Sequence, residues 1–255
     1  MTETPPPATI PIEIILVGTS HPGNLGAVAR AMKTMGLERL TLAGARTPLN
    51  DEAFANAKHA AEILHNARQV ADLPSALQGI HQVFATTARP RSMALPVLSA
   101  REAAQTILSA ASVAPVAVVF GAERTGLSNE DLSWCHAIIE IPANPAYPVL
   151  NLAQAVQILS YELWLGRGGA ANGVTTGSSA GEAVAPFSQW QAFEHRLTDL
   201  LDQRDFFQRN GEDPVATRAR LTEKLRIACH RAGWTEAELA LMHGVLTALT
   251  RHKEP

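Results

Sequence analysis

A glycine-rich turn that opens a helix can present backbone N–H groups to an anion. Residues 18–36, GTSHPGNLGAVARAMKTMG, hold such a turn around Gly18, Gly23 and Gly26. The spacing is neither a Walker loop, since no Gly-Lys-Ser/Thr follows, nor the G-x-G-x-x-G of a dinucleotide fold. The informative residues are Asn24 and Arg30. Arg30 lies about two turns into the expected helix, between Ala27, Ala29 and Ala31, which leave room for something bulky. On spacing alone it reads equally as an arginine facing a ligand and as one exposed on a helix.

Two further segments carry polar residues just after an apolar run. In VVFGAERTGLSNED (residues 118–131), Glu123 and Arg124 follow Gly121, whose missing side chain would let a flat ligand approach the backbone. Glu123 either holds the turn or binds a polar group, and Ser128 to Asp131 read as a helix start. In IIEIPANPAYPVLNLAQAVQILSYE (residues 138–162), Pro142, Pro145 and Pro148 make a stiff connection to a helix with Asn151 as its N-cap. Nucleophile and metal chemistry find no support: no G-x-S-x-G elbow is present, and the nine histidines form neither HExxH nor a Cys/His quartet.

These segments need a frame. Apolar runs at Ile12–Val17, Leu40–Leu42, Val83–Thr86, Val116–Phe120 and Ile138–Ile141 suit strands buried on both faces. Helices are expected over Leu25–Met35, Ala53–Leu64, Ala100–Ala111 and Leu152–Leu165. Strand–helix alternation of this kind predicts an α/β fold with an open, mostly parallel sheet. All three polar segments then lie at the carboxyl ends of strands, where ligands bind in such sheets. From Gly166 to Ala185 the chain turns to Gly, Ala, Ser and Thr, with nothing expected to anchor a core. That suggests a front domain (10–166), a flexible linker (167–186) and an all-helical tail (187–255). In the tail, helices are expected over Ser188–Phe207 and Pro214–Ala232. A third should follow the Thr235–Glu238 capping box. Arg218, Arg220, Lys224, Arg226 and Arg231 face one acid, Glu223, along the middle helix. They read as a phosphate contact or as a solvated face.

Composition bounds the class. The 255 residues are 46% hydrophobic and 18% charged, which fits a folded globular chain. A net charge of −3 excludes a globally basic protein. No apolar run approaches the roughly 20 residues of a membrane span, and the Pro-rich start does not resemble a secretory signal. Cys135 and Cys229, each followed by histidine, match neither a disulfide framework nor a zinc spacing, so a reducing cytoplasm is expected.

Taken in order, HPGNLGAVARAMKTMGL, FGAERTGLSNEDL and IPANPAYPVLNLAQAVQILSYE resemble the three motifs of the SPOUT-class (SpoU/TrmH superfamily) RNA ribose 2′-O-methyltransferases. The wording is closest to the TrmJ-type tRNA enzymes. The likeness covers residues 10–166, and HRLTDLLDQRDFF and LTEKLRIACHRAGW in the tail match the helical extension of those enzymes more weakly. The resemblance implies a trefoil knot at the carboxyl end of the front domain, with S-adenosylmethionine bound there and S-adenosylhomocysteine as product, and no metal. By motif, the cofactor-binding positions are Thr86, Thr87 and Ala88, Gly121, Ile141, and Pro148, Val149 and Leu150. Arg30, Asn24 and Asn151 match the catalytic positions. Relatives often carry Ser where this chain has Val149, so a hydroxyl contact is absent there. The resemblance further implies a homodimer acting on tRNA at anticodon-loop position 32. Arg124, Arg218, Arg220, Lys224 and Arg226 are then expected on the RNA side. Other readings are methylation of another tRNA or ribosomal RNA site, a nucleotide-binding oxidoreductase, and a non-catalytic RNA-binding module. The oxidoreductase lacks its fingerprint glycines after Val17 and an acid after Leu42.

Overall fold

Valine-rich runs with no alternation pattern have to be covered on both faces, and β6 (Val116–Phe120) is buried at all five positions. The computed structural model describes residues 11–87, 94–168, 183–208 and 213–250. Within them β6 lies at the centre of a sheet with β1 (Ile12–Val17), β2 (Arg39–Ala43), β3 (Arg68–Val70), β4 (Gln82–Thr86), β5 (Val97–Ser99) and β7 (Ala137–Glu140). The spatial order is β3-β2-β1-β6-β4-β7-β5, and every pairing is parallel. Thus β7 inserts between β4 and β5, although β5 follows β4 in the chain.

Alternate residues of each strand serve different cores. Ile14, Leu16, Val118 and Phe120 face α1 (Pro22–Thr34), α5 (Ala100–Ala111) and α7 (Leu152–Gly166), while Ile15, Ala117 and Val119 face Leu73, Leu77, Leu132 and Trp134 on the opposite side. Helix α7 buries Val156, Leu159 and Leu163 along one stripe, the spacing expected from sequence. Helix α1 meets α2 (Asp51–Ala57) backbone to backbone: a Cβ on Gly26 would stand 2.4 Å from the Ala53 carbonyl oxygen and 2.6 Å from the Ala57 nitrogen. The helix expected over Ala53–Leu64 is broken, because Lys58 takes a positive φ of 49° between α2 and a 3-10 turn at Lys58–Ala60, before α3 (Ala61–His65). Short helices α4 (Leu73–Ala76) and α6 (Asn129–Ser133) complete the front part.

The tail is helical: α8 (Phe187–Asp202), α9 (Pro214–Ala232) and α10 (Glu236–Thr250). Helix α8 stops short of the expected Phe207, and Asp205 in the following turn has φ +54°. Residues 169–182 of the expected linker lie outside the described residues. Its far end requires a correction. Val184 and Ala185 are buried, Ala185 N donates to Trp234 O at 2.8 Å, and Val184 bridges to Thr235, so small apolar residues there do join a core.

Tail and front meet over aromatic residues. Phe187 belongs to the core cluster beneath the sheet, and its N–H donates to Ile80 O at 2.8 Å. Arg226 of α9 donates to both carboxylate oxygens of Glu194 at 2.6–3.1 Å and to Ser133 Oγ at 2.9 Å. Its guanidinium carbon lies 3.4 Å from the centre of the Trp134 ring. Beside it, burial pushes His136 down to about 4 and His230 well below its ordinary value, so both rings are neutral at pH 7.

Candidate active site

The carboxyl ends of β4, β6 and β7 converge on a pocket of about 350 Å³. Thr86, Thr87, Gly121, Ile141, Pro148, Val149 and Leu150 line it, together with Phe120, Ile139, Leu152 and Ala155. Glu123 and Arg124 stand on its polar side. Three segments of the chain, running from Thr86 to Ala155, therefore wall one space. Ala88 lies outside the described residues.

Gly121 is glycine for a reason other than the one expected. A Cβ there would meet the backbone of Gly126 and Leu127 at 2.2 and 2.3 Å. The turn after β6 folds back on itself, with Gly126 N donating to Ala122 O at 2.7 Å, and Gly121 admits that return. Its own chain fills the place where a side chain would stand. Gly121→Ala should force the turn open and lower stability by about 1–3 kcal/mol, as overpacking does. Urea unfolding of the variant measures this, and an unchanged midpoint would mean that the turn can give way.

The polar residues of the three segments are joined in one chain of hydrogen bonds. Asn151 Nδ2 donates to Asn24 Oδ1 at 3.1 Å, and Asn24 Nδ2 donates to Glu123 Oε1 at 2.8 Å. Ser20 donates to Glu123 Oε2 through its backbone N–H (3.2 Å) and its hydroxyl (3.0 Å). Asn151 is also the N-cap of α7: its Oδ1 accepts from Ala153 N at 2.9 Å, and Gln154 Oε1 accepts from its N–H at 3.1 Å. An ionised carboxylate can only accept, so Glu123 fixes which way the Asn24 amide points, and Asn24 then fixes Asn151. Burial works to raise the Glu123 pKa, but donors from Asn24, its own backbone and Ser20 outweigh it, and the net shift is downward. A carboxyl depressed in the fold contributes stability above the ordinary carboxylate range. That contribution fades as pH falls through the folded value.

Arg30 is placed elsewhere. It is exposed on α1 and lines an open groove of about 590 Å³ between α1 and α7, with Ala27, Ala31, Thr34, Gln154 and Gln157. Ala27 and Ala31 flank it in the groove, whereas Ala29 is turned into the core. Leu150 lines both groove and pocket, so the two spaces share a wall there.

The tail cations do not form one face. Arg226 is turned inward onto Glu194 and Trp134, which corrects its expected place on the RNA side: an aromatic ring and a carboxylate of its own chain hold the charge. Arg218 pairs with Asp202 at 2.9 Å and lies over the Phe207 ring. Arg220 and Lys224 are exposed. Sequence reasoning missed Ser20 and left the role of Glu123 open between holding the turn and binding a polar group. Glu123 two residues after Gly121 was a signal, but its partners lie 99 and 103 residues away. Among the described residues no group of three or more His, Cys, Asp or Glu could hold a metal ion, and no helix is long and apolar enough to cross a membrane.

An all-parallel sheet with a pocket walled by three strand ends, followed by a helical tail, is a frame shared with known methylases. The SpoU rRNA Methylase family matches residues 11–161. The tRNA (cytidine/uridine-2′-O-)-methyltransferase TrmJ of Cronobacter sakazakii is 38% identical over 252 residues, spanning 96% of this chain and 98% of its own. The protein of the same name from Yersinia enterocolitica is 39% identical over 246 residues, spanning 94% and 91%. The crystal structure of TrmJ from Z. mobilis ZM4 superposes with a TM-score of 0.81 at 32% identity, over 94% of this chain and 99% of that one. This chain belongs to the SpoU methylase family. Within that family its likeness to the TrmJ proteins runs through the helical tail as well as the sheet.

Proposed function

We propose that this chain transfers a methyl group from S-adenosylmethionine to the ribose 2′-hydroxyl of a tRNA anticodon-loop pyrimidine, at position 32, accepting cytidine, uridine or both. The observation that carries the reading is the pocket, lined by every described residue at which the motif resemblance expects the cofactor. Its size falls in the range of small-molecule sites, roughly 300–1,000 Å³. Ile139, Ile141, Leu150, Leu152 and Ala155 offer apolar wall to a flat base, while strand-end backbone and Glu123 offer polar partners. The residues fit a nucleoside cofactor. The order β4-β7-β5, with α7 returning against α1 and α5, is in keeping with a trefoil knot around that pocket.

When bound, S-adenosylmethionine supplies a methyl carbon on a positively charged sulfur, which needs no metal to make it electrophilic, and it leaves as S-adenosylhomocysteine. The protein's task is to align the ribose oxygen with that carbon and to favour negative charge on the oxygen. Arg30 supplies a planar, permanently charged donor for the oxygen and the adjoining phosphate. It therefore orients and stabilises rather than acting as a base, and the hydroxyl proton leaves to water or to the adjoining phosphate as the oxygen–methyl bond forms and the methyl–sulfur bond breaks. Asn24 and Asn151, locked by Glu123, set the floor on which α1 and α7 approach each other. In one chain Arg30 faces the groove and not the pocket. We read this as the mark of a homodimer, in which a second copy on the α1–α7 face brings the two spaces into one active site. Residues 10–166 form the methyltransferase domain in this reading and 187–255 the helical extension, with Val184 and Ala185 already part of the extension's core. Arg124, Arg220 and Lys224 face tRNA, and the enzyme works in the cytoplasm.

Calorimetric titration with S-adenosylmethionine, NAD and NADP tests the class. Saturable heat is expected with S-adenosylmethionine alone. Binding of a dinucleotide, with none of S-adenosylmethionine, would overturn the reading.

A further inference from the structure

Tyr147 is the most exposed large apolar side chain among the described residues, at 80%. It stands in the loop from β7 to α7, directly before Pro148 and Val149, which line the proposed cofactor pocket. The loop holds it stiffly. Tyr147 N donates to Asn144 O at 2.8 Å, Ala146 N donates to Asn144 Oδ1 at 3.0 Å, and prolines stand at 145 and 148. An exposed aromatic ring one residue before the pocket lining, on a loop with little freedom to lose, has the properties of a stacking surface for a planar ligand.

We infer that Tyr147 stacks against the base of the nucleotide being methylated. The inference rests on the RNA reading of the same site and deepens it. A base can lie flat on a tyrosine only if it has left its own stack, so the site would select an unpaired, splayed loop nucleotide over one in a duplex. Every base has a π-face, so such a platform holds cytidine and uridine alike and leaves discrimination between them to other contacts. The platform grips the base equally before and during methyl transfer, so its loss should appear in substrate binding more than in the chemical step.

The test compares wild type with Tyr147→Phe, Tyr147→Leu and Tyr147→Ala. Each is assayed for S-adenosylmethionine binding, steady-state methyl transfer to unmodified tRNA, and binding of an anticodon stem-loop carrying pyrrolocytidine at the target position. Tyr147 is exposed, so all variants should fold and bind S-adenosylmethionine as wild type does. Removing one base–aromatic stack should raise KM for tRNA roughly 5- to 150-fold in Tyr147→Ala. Tyr147→Phe should stay near wild type, and Tyr147→Leu should fall with alanine, because apolar bulk without a flat ring does not stack. Pyrrolocytidine fluorescence should be quenched on binding to wild type and Tyr147→Phe and not to the other two. A wild-type enzyme that methylates tRNA, beside a Tyr147→Ala enzyme with unchanged KM and unchanged quenching, would overturn the stacking role alone. A wild-type enzyme that transfers no methyl to tRNA would overturn the proposed function, and this inference with it.

Discussion

Replacing Arg30 with alanine is expected to slow single-turnover methyl transfer to tRNA by about 10²–10³-fold, the usual effect of removing one donor from a site where oxyanion charge develops. Affinity for S-adenosylmethionine should not change, because Arg30 lines the α1–α7 groove and none of the pocket. Nor should the fold suffer. The side chain is exposed, and the only hydrogen bond at this residue beyond the helix's own backbone ladder, among the described residues, is Thr34 Oγ1 donating to its backbone carbonyl at 2.7 Å. Arg30→Lys keeps the charge but loses the planar fork and should recover little. Turnover and cofactor binding are measured side by side on wild type and both variants. Near-normal turnover in Arg30→Ala would remove the residue from the mechanism. Lost cofactor binding would make it structural.

Arg226→Ala should lower stability by about 3–5 kcal/mol, the range for breaking a buried ion pair by removing one partner. The variant leaves Glu194, only 17% exposed, without its cation, takes the donor from Ser133 and uncovers the Trp134 ring. Lys224→Ala, one residue pair earlier on α9 and exposed, should change stability by less than about 0.5 kcal/mol. The two variants thus divide a run of cations that looks uniform in sequence. Urea unfolding followed by tryptophan fluorescence reads both, since Trp134 lies at the joint. Equal midpoints for Arg226→Ala and wild type would mean that the pairing contributes nothing to docking the tail. Weakened tRNA binding in a fully stable Arg226→Ala would return this arginine to the RNA surface.

Much of the frame was legible because burial on both faces leaves a mark. β1 and β6 fall at the bounds their apolar runs suggested, and α5 and α9 match the expected Ala100–Ala111 and Pro214–Ala232. The strands that sequence did not reveal, β3 and β5, have three residues each at the two edges of the sheet. Edge strands are covered less, so Arg68 and Gln69 can occupy one without an apolar run to announce it. The break at Lys58 was equally hidden, because a positive φ normally falls to glycine or asparagine and lysine gives no warning.

The site was legible as three separate segments and not as a connected object. Asn151 capping α7 could be read locally, from its place before an apolar helix. The Asn151–Asn24–Glu123 chain could not, because its links join positions 127 and 99 residues apart. Nor could the sequence tell that Arg226 turns inward while Lys224 turns out. Glu194, Ser133 and Trp134, which lie 32 to 93 residues earlier, hold Arg226 inward.

Methylation of unmodified tRNA by the purified full-length chain, followed by nuclease digestion and mass spectrometry of the fragments, is the most direct measurement of what this protein does. The account predicts a mass gain of one methyl on the ribose of the pyrimidine at position 32, dependent on S-adenosylmethionine and formed about 10²–10³-fold more slowly with Arg30→Ala. A methyl group found on a base, or tRNA returned unmethylated by a chain that binds S-adenosylmethionine, would contradict it.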